Sequence, residues 1–389
     1  MQRLGSWLLL GIIWLGGAGC SWIGDYLAGS DNALPPAELQ TVENPIPVNK
    51  QWEAQVGSGT EGAFVRLLPV LAESRLYAAS HNGMVMAVDA ATGQTLWKTN
   101  TDLTLTGGVG VGDGLVLVGT DKGKVLALTI TDGTENWRAQ VSSEILAAPR
   151  VAQGVVVVRS IDGKFTALSA GSGQHLWLYS TPVMPALTLR GAAPPLLVPG
   201  AVIAGLESGR LLILSLAKGL PISERTIAIP HGRTDLERMV DIDAEPRIVG
   251  STLYIAAYQG NITAVDLRDG NTLWSRDISN YSGLDADAGR VYVTDVSDTV
   301  QALDSRTGHV LWQQAGLTGR KLSTPVVSEG YLIVGDFEGY LHWLDADTGK
   351  IVGRVRVDSS GIRMAPLTRG GIVYVLSEGG TLGAYRFGG

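Results

Sequence analysis

One cysteine, Cys20, stands in a chain of 389 residues. No disulfide within the chain and no Cys-based zinc site can therefore be built. Positive charge is also scarce. The formal net charge is −7, which excludes a general nucleic-acid binder, because phosphate neutralisation needs a basic face. A membrane-spanning run is missing as well. The uncharged stretch "LGSWLLLGIIWLGGAG", Leu4 to Gly19, falls short of the ~20 apolar residues that cross a bilayer comfortably. What the chain has instead is glycine, 51 residues of it, with Val, Leu, Thr and turn formers. That composition argues for short strands and tight turns rather than helices.

The N-terminus has the order of an export signal: Arg3, an apolar core, then small residues. Cys20 directly after those small residues resembles a bacterial lipoprotein signal, in which the new N-terminal Cys takes up lipid such as palmitate. Ser21 behind it resembles an outer-membrane address. The departure is Gly17, where that signal usually has Leu; Leu15 lies further upstream. An ordinary signal or uncleaved anchor with an incidental Cys is the alternative. The expected division is a signal over 1–19, a lipid-anchored extended tether over 20–50 with Pro35, Pro36, Pro45 and Pro47, and a folded body over 51–389.

That body repeats. "HNGMVMAVDAATGQTLWK" (81–98) returns as "DKGKVLALTITDGTENWR" (121–138), "IDGKFTALSAGSGQHLWL" (161–178) and "YQGNITAVDLRDGNTLWS" (258–275). Counting weaker copies, eight markers appear: Gly83, Gly123, Gly163, Gly209, Gly260, Asp298, Gly339 and Gly380, at steps of 40, 40, 46, 51, 38, 41 and 41. A period near 40 made of short strands predicts an all-β, eight-bladed β-propeller of four-stranded antiparallel blades.

Three features of the repeat have structural readings. A Trp follows the marker by fourteen residues in five copies, Trp97, Trp137, Trp177, Trp274 and Trp312, and reads as a wedge between blades. Asp89, Asp266, Asp304 and Asp345 precede a turn and are expected to accept hydrogen bonds from its amides. The eighth copy ends before its outer strand, whereas "QWEAQV" (51–56) matches "NWRAQV" (136–141) with no strands ahead of it. Trp52 and its strand should therefore complete the last blade and close the ring.

Gly, apolar pair, Asp, Thr-Gly and Trp at this spacing resemble the repeat of pyrroloquinoline quinone enzymes, over nearly all of 51–387. Two branches share that repeat: quinoprotein dehydrogenases, and the BamB family of propeller lipoproteins of the outer-membrane β-barrel assembly (BAM) machinery. "LTLRG" (187–191), "DIDAEP" (241–246) and "GDFEGYLHWLDADTG" (335–349) resemble the second. The enzyme branch typically carries a vicinal disulfide against its quinone, which one Cys cannot form. The five His residues are scattered through different blades, and His175 and His309 fall in matching turns. The resemblance implies a non-enzymatic scaffold without cofactor or metal, lipid-anchored at Cys20 on the periplasmic face of the outer membrane. The alternative is a quinone-dependent dehydrogenase or quinone-binding sensor of the envelope.

A regular propeller is scaffold, and function is expected where the repeat breaks. The long steps hold "MPALTLRGAAPP" (184–195) and "IPHGRTDLERMVDIDAEP" (229–246). Arg190 and Asp241 each precede a Pro, Pro195 and Pro246, by five residues, so the two loops should sit at equivalent places on neighbouring blades. Leu187 and Leu189 with Arg190, Asp241 and Asp243 combine apolar anchors with charge, as a protein interface does. The resemblance assigns these five to docking on a periplasmic POTRA domain of the insertase BamA, beside the other BAM subunits. The competing reading is that Arg190 pairs with Asp241 or Asp243 and braces the loops. On general grounds, exposed blade edges also suit an unfolded client strand.

Overall fold

The computed structural model describes residues 35–388 except 183, 186, 191 and 192; the export signal and Cys20 lie outside the described residues. Within them the repeats form eight four-stranded antiparallel sheets. Blades 1 to 7 span 70–100, 105–140, 150–180, 196–226, 247–277, 284–314 and 326–356. Blade 8 takes three strands from 367–387 and its outer strand, Val48–Gln55, from the other end of the chain. Val48 pairs with Phe387 and Gln55 with Thr381. The ring is an eight-bladed β-propeller closed as the repeat count requires.

Blade 3 shows why the sequence folds this way. Its strands run Arg150–Ala152, Val155–Ser160, Lys164–Ser169 and His175–Ser180 from the axis outward. The second is buried from Val156 to Ser160, because neighbouring sheets cover both its faces, and it is apolar without alternation. The outer strand alternates, leaving Leu176 and Leu178 exposed around a half-buried Trp177. No sheet makes a core alone. The apolar slabs lie between neighbours, as where Tyr77, Val85 and Trp97 of blade 1 meet Val116, Leu126 and Leu128 of blade 2. Each such side chain contributes about 1.5–3 kcal/mol by leaving water.

The tryptophans join those slabs at their outer margin. Trp97 donates Nε1–H to the Ile130 carbonyl at 3.2 Å, Trp137 to Ala170 at 2.7 Å, and Trp177 to Leu216 at 2.8 Å. Trp274, Trp312 and Trp52 do the same to Ser305, Ala346 and Ala90. Each acceptor lies on the next blade, beside the Gly of its outer turn. At Gly173, which has φ +70°, a Cβ would stand 2.6 Å from the Trp137 ring. That Gly therefore meets two demands, a left-handed backbone and a ring laid on its Cα. Within the same turns, Asp89 accepts from the Thr92 amide at 2.9 Å and Asp304 from that of Thr307 at 2.9 Å. The Thr hydroxyls and amides hold both carboxyls below the usual range.

Two blades depart from this pattern for visible reasons. On blade 4, Ser223 stands at the Trp position and the Arg225 guanidinium covers Gly270 instead. Blade 7 has Gly353 there, because blade 8 gets its outer strand from the N-terminus and has no outer turn to receive an indole. Ile46 packs on Gly353 and donates its N–H to the Val352 carbonyl at 2.8 Å.

The border expected at residue 51 moves accordingly. The closing strand begins at Val48, and residues 37–46 ahead of it are fastened to the ring. Ala37 donates its N–H to the Thr318 carbonyl at 2.9 Å and its carbonyl accepts from Arg320 Nη1 at 3.1 Å, and Arg354 Nη1 holds the Gln40 carbonyl at 3.1 Å. Prolines that read as a tether are compatible with an extended strap, which needs few of its own N–H groups. Behind the strap Arg320 and His342 converge on buried Asp336 at 2.8 and 2.9 Å. Burial lowers the His342 pKa against the pull of Asp336.

Candidate functional site

Antiparallel pairing puts each blade's second-to-third hairpin and its connector to the next blade on one face of the ring. The marker residues therefore share a face with the two long connectors at 181–195 and 227–246. The segment 56–69, which leads from the closing strand to blade 1, joins them there: the Gly59 carbonyl accepts from His81 N, and Thr60 N donates to Glu378 O. From it Arg66 reaches over the mouth of the ring. Its Nη1 donates to the Asp243 carbonyl at 3.0 Å and its Nη2 to that of Tyr281 at 3.1 Å. Those acceptors precede blades 5 and 6, on the far side of an eight-membered ring from blade 1.

The two connectors meet. The backbone N–H of Leu189 donates to Oδ2 of Asp241, so adjacent breaks in the repeat form one structure. The five residues singled out by sequence nevertheless divide into two layers. Leu187 is 47% exposed, the Arg190 side chain is 63% exposed, and Leu189 is half-buried. Asp241 and Asp243 are buried, at 0% and 3%. They lie beneath the loop and add no charge to the surface. The partner of Arg190 is a different carboxylate from those of the competing brace. Arg190 pairs with Glu144 at 2.6 Å, on the connector from blade 2 to blade 3. Its backbone is left-handed, φ +55°, and its N–H donates to Thr188 Oγ1 at 3.2 Å. The guanidinium thus faces the connector between blades 2 and 3.

Under the loop lies a buried ionic cluster that the repeat breaks do not reveal. Arg159, 1% exposed, is the penultimate residue of the second strand of blade 3. Its Nη2 stands 2.8 Å from Oε1 of Glu207, and its Nη1 donates to the Ala193 carbonyl at 3.1 Å. The guanidinium thus ties blade 3 to blade 4 and to the connector between them. Burial raises the Asp241 pKa to about 7; the Leu189 N–H opposes this, Asp243 and Glu207 add to it, and Arg159 counters them. Asp241 Oδ1 has no hydrogen-bond partner among the described residues. A signal for Arg159 was present in "VVVVRS": a cation in a strand covered on both faces requires a buried anion.

Exposed apolar side chains on this face's connectors are unevenly placed. Met184 and Leu187 lie on 181–195, Ile229 and Leu236 on 227–246, and Phe64 on 56–69. Among the described residues the other connectors, 101–104, 141–149, 278–283, 315–325 and 357–366, expose no large apolar residue. Phe64 sits under the Arg363 guanidinium, 4.9 Å from its ring centre. A buried carboxylate, Asp241, thus pins a loop that displays Leu187. No three His, Cys, Asp or Glu side chains among the described residues gather as a metal site.

Comparison with known proteins agrees with this architecture. A family model described as outer membrane protein assembly factor BamB matches residues 81–314 and 296–387. A Pseudomonas aeruginosa protein of that name is 51% identical over 367 residues, 94% of this chain and 95% of its own. The Escherichia coli K12 protein of that name is 35% identical over 375 residues, 94% of each chain. Among solved structures, BamB from Moraxella catarrhalis superposes with a TM-score of 0.81 at 27% identity, covering 88% of this chain and all of that one. A quinohemoprotein alcohol dehydrogenase from Comamonas testosteroni gives 0.69 at 13% identity, over 87% of this chain and 76% of its own, a likeness of fold alone.

Proposed function

The chain belongs to the family of outer membrane protein assembly factor BamB, and on that premise we propose that it is a non-enzymatic scaffold of the β-barrel assembly machinery. It docks on a periplasmic POTRA domain of BamA and assists insertion of β-barrel proteins into the outer membrane. Leu187, Leu189 and Arg190 make the contact. Asp241 and Asp243 serve it from below, Asp241 by holding the Leu189 amide. The observation that supports this most directly is the pairing of an exposed Leu187 with a loop pinned by a buried carboxylate. A loop held in place before contact loses less freedom on binding.

Leu187→Asp tests the reading. Placing a carboxylate where a partner buries an apolar side chain weakens BamA binding by at least about tenfold, or ~1.4 kcal/mol. The circular dichroism and melting temperature stay those of the parent, because Leu187 is exposed. Unaltered affinity for the BamA periplasmic region would remove the docking assignment.

Cys20 carries the lipid in this reading and holds the protein on the periplasmic face of the outer membrane. Labelling cells with a palmitate analogue gives a labelled band for the parent and none for Cys20→Ala. A label that persists in the variant counts against the anchor.

A further inference from the structure

Leu187, Leu189 and Arg190 are too small a patch to explain a stable complex. Burying a leucine contributes about 1.5–3 kcal/mol at ~25 cal/mol/Å², which corresponds to roughly 100 Å² of apolar surface. Leu187 offers less than half of that, at 47% exposure. A specific interface buries about 800 Å² on each partner around a few apolar anchors. Further anchors must lie close by on the same face. Apart from Met184, the connectors of blades 3 to 5 expose two candidates, Ile229 and Leu236, each at 62%.

Their exposure is a built feature of the loop. Glu237 Oε2 accepts from the Arg233 amide at 2.6 Å and the Thr234 amide at 3.1 Å, and Thr234 Oγ1 accepts from the Glu237 amide at 3.2 Å. This reciprocal cap closes one helical turn, completed by Arg238 N to Thr234 O at 3.2 Å. Gln259 on the blade 5 hairpin donates to the Leu236 carbonyl at 3.2 Å and fixes the turn to the ring. Met239 and Val240, next along the chain, are buried. The turn's contribution to the core is thus made by other residues, and Leu236 is held outward. Arg233 and Arg238 are exposed and make no ion pair among the described residues, beside the exposed Asp235 and the capping Glu237, whose carboxyl the Arg233 and Thr234 amides hold below the usual range.

We infer that the docking face extends from Leu187 across blade 4 to a second pair of anchors, Ile229 and Leu236, and that the one folded domain of the docking reading covers both with a continuous apolar face. This rests on the docking reading above and names the rest of the surface that reading requires. Asp241 links the two halves: it follows the Leu236 turn in sequence and holds the Leu189 amide in space.

Calorimetric titration of the full chain in detergent with the BamA periplasmic region of the same organism tests it. Leu236→Asp and Ile229→Asp each weaken binding by about tenfold or more, with melting temperatures unchanged. Leu236→Ala weakens it less, in the same direction. If Leu236→Asp and Ile229→Asp bind within about twofold of the parent while Leu187→Asp does not, the extension fails and the docking assignment stands. If all three bind like the parent, both fall. Normal BamA binding by Leu236→Asp together with loss of a self-associated species in ultracentrifugation also overturns the inference, because it assigns the pair to a second copy.

Discussion

Arg159→Ala is expected to lower the stability of the ring by about 3–5 kcal/mol, the usual cost of removing one partner from a buried ion pair. Arg159 is 1% exposed and stands 2.8 Å from Glu207, whose side chain is 9% exposed. The loss withdraws the cation that Asp241 also feels. It also leaves the Ala193 carbonyl without its donor, freeing the end of the connector that carries Leu187 to Arg190. Two measurements read the two consequences. The urea midpoint falls, and trypsin cleaves faster after Arg190. Arg159→Met combined with Glu207→Gln recovers most of the stability, since an apolar replacement for a buried pair is often neutral. A single Arg159→Ala variant as stable as its parent would show that the cluster is hydrated.

Asp241→Asn is expected to abolish a pH dependence. Burial, with Asp243 and Glu207 nearby, raises the Asp241 pKa from 3.8 to about 7 in the folded protein. The folded state therefore binds this proton more tightly than the unfolded chain. Its stabilising effect is complete below pH ~4, declines as pH rises, and is gone above the folded pKa near 7. A rise of that size corresponds to at most about 4 kcal/mol. The Asn variant loses that slope between about pH 4 and 7 and is as stable as the parent, or more so, at about pH 8. Its amide oxygen still accepts the Leu189 N–H, so the loop is retained. Urea midpoints across roughly pH 4.5–8 for both proteins check this; parallel curves would mean that Asp241 is ionised throughout.

These expectations rest on groups that the chain order conceals. Arg190 precedes Pro195 and Asp241 precedes Pro246 by the same count, which locates two loops at equivalent places but says nothing of depth. Only the packing of blades 3, 4 and 5 puts Asp241 and Asp243 beneath the surface and turns Arg190 toward Glu144. Arg66 is similar. Nothing around it in "GAFVRLLP" suggests a reach to carbonyls some two hundred residues later. Leu236 gave a fainter sign, since T-x-x-E at Thr234 and Glu237 is a capping pattern, but whether the next apolar residue faces water depends on what Met239 and Val240 already fill.

By itself the sequence determined the number of blades, the strand order within each, the Gly turns and Trp positions, and the closing of the ring by exchange of chain ends. Those are repeated, short-range features: a φ that only Gly adopts freely, a strand period, an indole at a constant offset. The tertiary structure alone decided which residues of the irregular connectors are surface and which are support. It also decided where residues 37–46 fasten and which carboxyl is pressed toward neutrality. Burial and electrostatic surroundings are set by neighbours brought together by the ring, and chain separation carries no record of them.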